Sequence, residues 1–284
     1  MFERLTILGA GLLGGSVLWA AREKGLCRHT GAWSRRPETR AACSRKDWCD
    51  VVYETPEDAA READLLLVCV PVERIASLIG QVAPHLKAQA LVSDVGSTKG
   101  TICGEVPAQL NPDAAAFVGS HPMAGSEKTG IEYARADLFE GRTCFVTPTA
   151  DSPPAATRHL TDFWTGLGMR VRHADPQTHD AIVAHVSHLP HLVASALADA
   201  LAHTPADWAG ASGPGLRDTT RVAGGEPGLW LEIVRQNRAA IGEALRSFSG
   251  VFNALAHAVE TEDDATVQQV LERGQAYRKT LEST

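Results

Sequence analysis

Near its start the chain reads Leu5-Thr-Ile-Leu-Gly9-Ala-Gly11-Leu-Leu-Gly14-Gly-Ser16, an apolar strand-forming run that passes through G-x-G-x-x-G into a helical stretch ending near Lys24-Gly25. No other feature narrows the fold as much. Gly9 permits a tight turn, Gly11 lets the backbone approach a pyrophosphate, and Gly14 lets helix and strand pack closely, while the helix N-terminus offers unpaired N–H groups to phosphates. The three could instead be packing glycines. Their place after a strand, before a helix and ahead of a second strand at the right distance favours dinucleotide binding. Gly9, Ala10, Gly11, Leu12, Leu13 and Gly14 are therefore the expected phosphate-binding turn.

The second strand is expected at Thr30 to Trp33, and the position after it ordinarily holds an acid that receives the adenine-ribose hydroxyls. This chain has Ser34-Arg35-Arg36 there. A carboxylate would repel a 2′-phosphate, whereas a hydroxyl and two guanidiniums would hold one, so NADP is expected over NAD. The alternative is a solvated basic turn. Further strand-like runs, Asp50 to Tyr53, Asp64 to Pro71, Ala90 to Asp94, Ala116 to Gly119, Thr143 to Thr147 and Met169 to Arg172, alternate with segments long enough for crossover helices. Ligands of such sheets bind at the carboxyl ends of strands, which directs attention to Val70 and Pro71, to Gly96 through Lys99, and to Ser120 through Pro122.

Beyond Asp175 the strand pattern stops, and long helices are expected from Gln177 to Ala202, Leu229 to Leu255 and Asp263 to Leu281. The expected fold is α/β: an N-terminal Rossmann-type doubly wound sheet over residues 1–175, then an all-α C-terminal dimerisation domain over 176–284. Broad apolar coverage of the middle helix, including Leu229, Ile233, Ile241, Phe248 and Phe252, suits burial against partner helices and a homodimer.

Lys and Arg number 27 against 34 Asp and Glu, a net charge of -7 and the wrong sign for nucleic-acid binding. The six cysteines are scattered, with neither a C-x-x-C pair nor zinc-finger spacing, and read as reduced thiols of a cytoplasmic protein. The uncharged run Leu5 to Ala21 holds four glycines and falls short of a membrane span, so no membrane partner is expected.

Three segments in fixed order, Gly9 to Ser16, Ser93-Asp-Val-Gly-Ser-Thr-Lys99 and Gly119-Ser-His-Pro-Met-Ala-Gly-Ser-Glu127, resemble the prephenate/arogenate dehydrogenase family of tyrosine biosynthesis. Val186-Ser-His188-Leu-Pro-His191 and Leu216-Arg-Asp218-Thr-Thr-Arg221 extend the resemblance over nearly the whole chain. It implies NAD(P)-dependent oxidative decarboxylation of prephenate to 4-hydroxyphenylpyruvate, of arogenate to tyrosine, or of both. It also implies that His121 is the catalytic histidine, accepting the 4-hydroxyl proton as hydride departs. Ser97 matches a serine at the reacting hydroxyl that helps orient the histidine. Arg221 matches an arginine that grips a substrate carboxylate, with Arg217 as its decoy and Asp218 as a candidate ion-pair partner. His179 and His188 match the substrate-pocket network, Glu127 an acid near the pocket entrance, and Trp230 an aromatic at the substrate end of the helical half. In a chain of this length neither the mutase nor the ligand-sensing module that some members carry is expected.

His185, His188 and His191 follow an H-x-x-H-x-x-H spacing, which invites a metal reading. Three such positions drift around a helix and Pro190 interrupts them, so no metal is expected. Two rival functions remain. One is another two-domain NADP-dependent dehydrogenase of the beta-hydroxyacid dehydrogenase or imine reductase type, which usually employs a lysine on the first helix of the second domain; the stretch from Gln177 to Ala202 has none. The other is a non-catalytic NADP-sensing dimer.

Overall fold

In the computed structural model, residues 1–125 and 128–282 are described. Six strands form the main sheet: β1 (Phe2–Leu8), β2 (Cys27–Trp33), β3 (Val51–Val52), β4 (Leu65–Val68), β5 (Ala90–Asp94) and β6 (Ala115–Phe117), in the order β3-β2-β1-β4-β5-β6. Every neighbouring pair is parallel. Helices α1 (Leu12–Glu23), α2 (Pro37–Cys43), α3 (Pro56–Arg61), α4 (Val72–Val82) and α5 (Gly100–Glu105) supply crossovers. β4 is Leu65-Leu-Leu-Val68 with all four residues buried, the unbroken apolar run of a central parallel strand covered on both faces. The strand order reverses between β1 and β4, and there the carboxyl ends open the crevice in which doubly wound sheets take ligands.

The expectation that the chain continues this one sheet through Ala116 to Gly119, with Ser120 to Pro122 as its exit loop, is corrected. β6 stops at Phe117, Val118 makes one more bond to Val92 (3.1 Å), and β7 (Gly119–Pro122) belongs to a second sheet with β8 (Thr143–Thr147) and β9 (Arg170–His173). Gly119 permits the crossing, because a Cβ there would stand 2.6 Å from Thr147 Oγ1 and 2.8 Å from Cys103 Sγ. His121 therefore sits on a strand, opposite Phe145, with the rigidity of a ladder behind it. Helix α6 (Pro154–Gly166) sends Leu160, Phe163 and Trp164 into the core shared with α1.

From Pro176 the chain is helical: α7 (Pro176–Val183), a wider π turn at residues 184–188, α8 (Leu189–Ala202), α9 (Pro214–Thr220), α10 (Pro227–Gln236), α11 (Arg238–Glu260) and α12 (Asp264–Glu282). The π turn lies one residue before Leu189-Pro190, where proline cannot donate to the preceding turn and its ring crowds the carbonyl there. The single helix expected from Leu229 to Leu255 is two helices. Asn237 breaks it (φ -116, ψ 33), turning its side-chain amide onto the Asp180 carbonyl (2.8 Å) and His188 Nδ1 (3.3 Å).

The apolar run Leu5 to Ala21 is split between β1 and α1 in the core. The segment expected as a helix from Gln177 to Ala202 is, over Pro176–Ala202, long and apolar enough to cross a membrane by length and composition. It also carries His179, Asp180 and His188, all buried against the rest of the chain.

Candidate active site

The crevice beside β1 and β4 is a cleft of about 690 Å³ lined by Gly9, Ala10, Gly11, Ser34, Val70 and Pro71 among others. Gly9 has φ +103 and a Cβ there would meet the Cys69 carbonyl oxygen at 2.4 Å; at Gly14 it would meet Gly9 O at 2.4 Å. Around Gly11 nothing lies within 4 Å of that position, which leaves the backbone open to a close-approaching ligand. The three glycines thus divide as turn, open floor and packing contact, an arrangement that fits a dinucleotide pyrophosphate. Leu12 and Leu13, expected with them, do not line this cleft. Leu13 packs into the core, and Leu12 borders a separate groove near Tyr133 and Arg142.

Ser34 is buried, and its Oγ accepts the Ala10 N–H at 2.9 Å, so the residue ties the second strand to the glycine turn. Arg35 and Arg36 are exposed on the rim of the cleft, with Arg74 of α4 also lining it. Arg40 is committed to the carbonyls of Ser34 (2.9 Å) and Arg35 (3.2 Å) and to Glu54 (2.9 Å). It shapes the turn without facing a ligand.

A second group of polar residues converges where β5, β7 and α7 meet. His121 is buried, and its Nδ1 lies 2.9 Å from Nε2 of buried His179. His179 Nδ1 lies 2.8 Å from Asp180 Oδ1. Burial, reinforced by His179, Lys99 and His188, pushes the His121 imidazole well below its ordinary pKa; burial also lowers His179, against the pull of Asp180. Both rings are neutral at pH 7. Beneath them Lys99 is wholly buried and pairs with Asp94, while its ammonium donates to the Ser120 carbonyl (2.9 Å), fixing β7 onto the end of β5. Such a pair is costly to break, because either partner alone would be an uncompensated buried charge.

His188 is also buried, and burial drives it down to about 4. Trp230 of α10 stacks on His191 at 3.4 Å and 11° and stands edge-on to His188 at 6.2 Å. The helical part closes on the sheet here: Thr98 Oγ1 donates to Gln236 Oε1 (2.8 Å).

Other expected residues stand differently. Among the described residues the Ser97 side chain makes no hydrogen bond, and the group beside His121 Nδ1 is His179. Arg217, Asp218 and Arg221 are exposed, and among the described residues no ion pair joins Asp218 to Arg221, so the proposed orienting bridge is absent. Arg221 begins a short 3₁₀ turn that packs against α8, close to the His191–Trp230 stack. Glu127 lies outside the described residues. Lys99 was expected only as part of the crevice-lining run Gly96 to Lys99, and Asp94, Asp180 and Asn237 were given no site role. The available signal was Asp180 directly after His179, and a lysine closing the Ser93–Lys99 motif.

Residues 22–173 match the nucleotide-binding domain of prephenate dehydrogenase, and residues 175–273 match its dimerization domain. The chain is 31% identical to the cyclohexadienyl dehydrogenase of Zymomonas mobilis over all of its own length and 97% of that protein. Among solved structures it superimposes with a TM-score of 0.92 and 28% identity on prephenate dehydrogenase of Aquifex aeolicus in complex with hydroxyphenyl propionate and NAD+, covering 99% of each chain. It superimposes with a TM-score of 0.85 and 26% identity on Synechocystis arogenate dehydrogenase, covering 98% of this chain and 99% of that one.

Proposed function

The chain belongs to the prephenate dehydrogenase family, and on that premise we propose a division of labour in which His121 is the base and the cleft over Gly9–Gly11 receives the dinucleotide. The protein is a nicotinamide-dependent dehydrogenase of tyrosine biosynthesis, acting on prephenate, arogenate or both. When bound, the nicotinamide is the acceptor for a hydride. What the protein must add is a site for an anionic substrate, a base for its hydroxyl proton, and exclusion of water.

The observation that carries the assignment is His121: a buried imidazole, neutral at pH 7, on a rigid strand at the junction of the sheet with the helices. As the carbon bearing the hydroxyl loses hydride, the hydroxyl proton passes to His121 Nε2. The bond to the ring carboxylate breaks, carbon dioxide leaves, and the bonding electrons enter the ring, which becomes an aromatic phenolate; the proton on His121 then returns to that oxygen, giving the phenol and restoring the neutral imidazole. A base with a depressed pKa is unprotonated and ready at neutral pH. Arg221 is the partner for a substrate carboxylate, since a guanidinium keeps its charge and binds two oxygens at once. Ser97, on the loop between β5 and α5, has a hydroxyl available to the reacting oxygen. His188 and Trp230 form the wall toward the helical half.

We place the boundary between the two domains at 175/176, where β9 gives way to α7. Arg35, Arg36 and Arg74 around one end of the cleft support NADP as the preferred cofactor, with NAD as the alternative. A homodimer through the helical half is supported by its exposed apolar side chains, Val251, Phe252, Val259, Leu271 and Tyr277 among them. α12 has no buried residue at all, a state that a partner helix would relieve. Six free thiols, five of them buried, support a reducing cytoplasm.

The test is reduction of nicotinamide, followed by its near-ultraviolet absorbance, with prephenate or arogenate and NADP or NAD in all pairings. Turnover in any pairing supports the assignment and names the specificity. Silence in all of them, from folded protein that binds the dinucleotide, refutes it.

A further inference from the structure

Behind His121 the hydrogen bonds form one continuous line, and its chemistry decides which ring nitrogen is bare. Asp180 anchors the line. Its Oδ1 accepts the backbone N–H of Lys99 (2.7 Å) and its Oδ2 that of Gly100 (2.8 Å). A carboxylate that already accepts through both oxygens serves its third neighbour as an acceptor too. The proton between it and His179 therefore sits on His179 Nδ1, 2.8 Å away. With one proton on a neutral ring, His179 Nε2 carries a lone pair, and the atom facing it at 2.9 Å is His121 Nδ1. His121 must donate there. Its remaining nitrogen, Nε2, is left with a lone pair and, among the described residues, no hydrogen-bond partner.

We propose that His179 and Asp180 are positioning residues that set the tautomer of His121, holding its proton on Nδ1 and its lone pair on Nε2, instead of contacting substrate. The proposal rests on His121 being the base. It gives the two residues a role that substrate contact would not: once Nε2 takes a proton, the imidazolium keeps its Nδ1–H bonded to His179, and His179 keeps its own bonded to a carboxylate. Lys99 and His188 oppose that charge, Asp94 offsets Lys99, and Arg172 stands over Phe145, whose ring edges onto His179. Asp180 and Asp94 are the two anions of the cluster, and only Asp180 is bonded to the histidines.

The direct test is two-bond proton–nitrogen NMR of histidine-labelled protein without ligands at pH 7. Both His121 and His179 are expected with protonated Nδ1 and bare Nε2. A wild-type protein with the His121 proton on Nε2 overturns the proposal. In steady-state assays Asp180→Asn is expected to lose kcat about 10²-fold with KM changed less than about threefold. Because Asp180 also caps the start of α5, His179→Ala provides an independent variant that leaves those backbone bonds in place. It should lose kcat to a similar extent, and His179→Gln, whose amide oxygen can accept from His121 Nδ1, should recover about tenfold. Full kcat in both Asp180→Asn and His179→Ala overturns the proposal. If instead His121→Asn keeps its turnover, the base reading falls, while the nitrogen shifts still decide the tautomer.

Discussion

Burial of His188 should make the fold sensitive to mild acid, and the size of the effect follows from its surroundings. The side chain is 1% exposed, faces Asn237 and Trp230, and has its pKa pushed from 6.5 down to about 4 by burial. In the unfolded chain the same group takes a proton near pH 6.5; in the folded chain it refuses one until about pH 4. Between those limits the unfolded state binds more protons, so stability rises with pH. The contribution is fully present above about pH 6.5 and is lost as pH falls toward 4. At about 1.4 kcal/mol per pH unit the loss is about 3 kcal/mol, a large share of the 5–15 kcal/mol of ordinary domains. The perturbation is His188→Gln, and the assay is urea unfolding by tryptophan fluorescence from pH 7.5 to 4 at one fixed protein concentration, because a dimer's stability depends on it. His121, His179 and His191 are also depressed and steepen both curves alike. The difference between wild type and variant should be flat above about pH 6.5 and shift by about 3 kcal/mol in the variant's favour by pH 4. A difference that stays constant over the whole range refutes the reasoning.

Gly9→Ala combines φ +103 with a 2.4 Å approach to the Cys69 carbonyl, and should lower stability by about 1–3 kcal/mol and weaken nicotinamide binding, read by thermal melts and fluorescence titration. His121→Asn should reduce kcat by about 10²–10⁴-fold with little change in KM; retained turnover sinks the base assignment. Arg221→Ala should raise KM by about tenfold or more through loss of a carboxylate partner, and an unchanged KM would shift that role to Arg217. Replacing Arg35 and Arg36 by Gln should weaken NADP by about tenfold with NAD affected less, measured as the ratio of the two dissociation constants; equal losses would refute a 2′-phosphate clamp.

The dinucleotide half was legible because its signal is a local spacing. A G-x-G-x-x-G run between a strand and a helix is readable from adjacent residues, and Gly14 packs on its own turn and strand, against Gly9 O and Ile7, although the contact that excludes a side chain at Gly9 comes from Cys69, 60 residues on. Buried parallel strands such as Leu65–Val68 announce themselves as unbroken apolar runs. The departure of the chain at Val118 was not legible, since Phe117, Gly119 and Ser120 fit one strand as well as two. What separates them is contact with Thr147 and Cys103, 28 and 16 residues away from Gly119 in the sequence numbering. The break at Asn237 was hidden for the same reason, its amide being used by Asp180 and His188 from α7 and the π turn.

The site shows the same division at finer grain. His121 was recognisable because its flanking residues are part of a motif, whereas the role of Asp180 depends on a hydrogen-bond direction that no residue type reveals. An aspartate after a histidine on an amphipathic helix is more often solvated than buried. Only when α7 is laid against the start of α5 does the carboxylate find the Lys99 and Gly100 N–H groups that satisfy its oxygens in the interior. Those two bonds are backbone bonds, insensitive to which side chains stand at 99 and 100, so sequence pattern has little purchase on them. Their consequence reaches the reacting atom all the same. On the proposal made above, the accepting carboxylate fixes one proton on His179, that proton fixes the next on His121 Nδ1, and Nε2 is the nitrogen left bare.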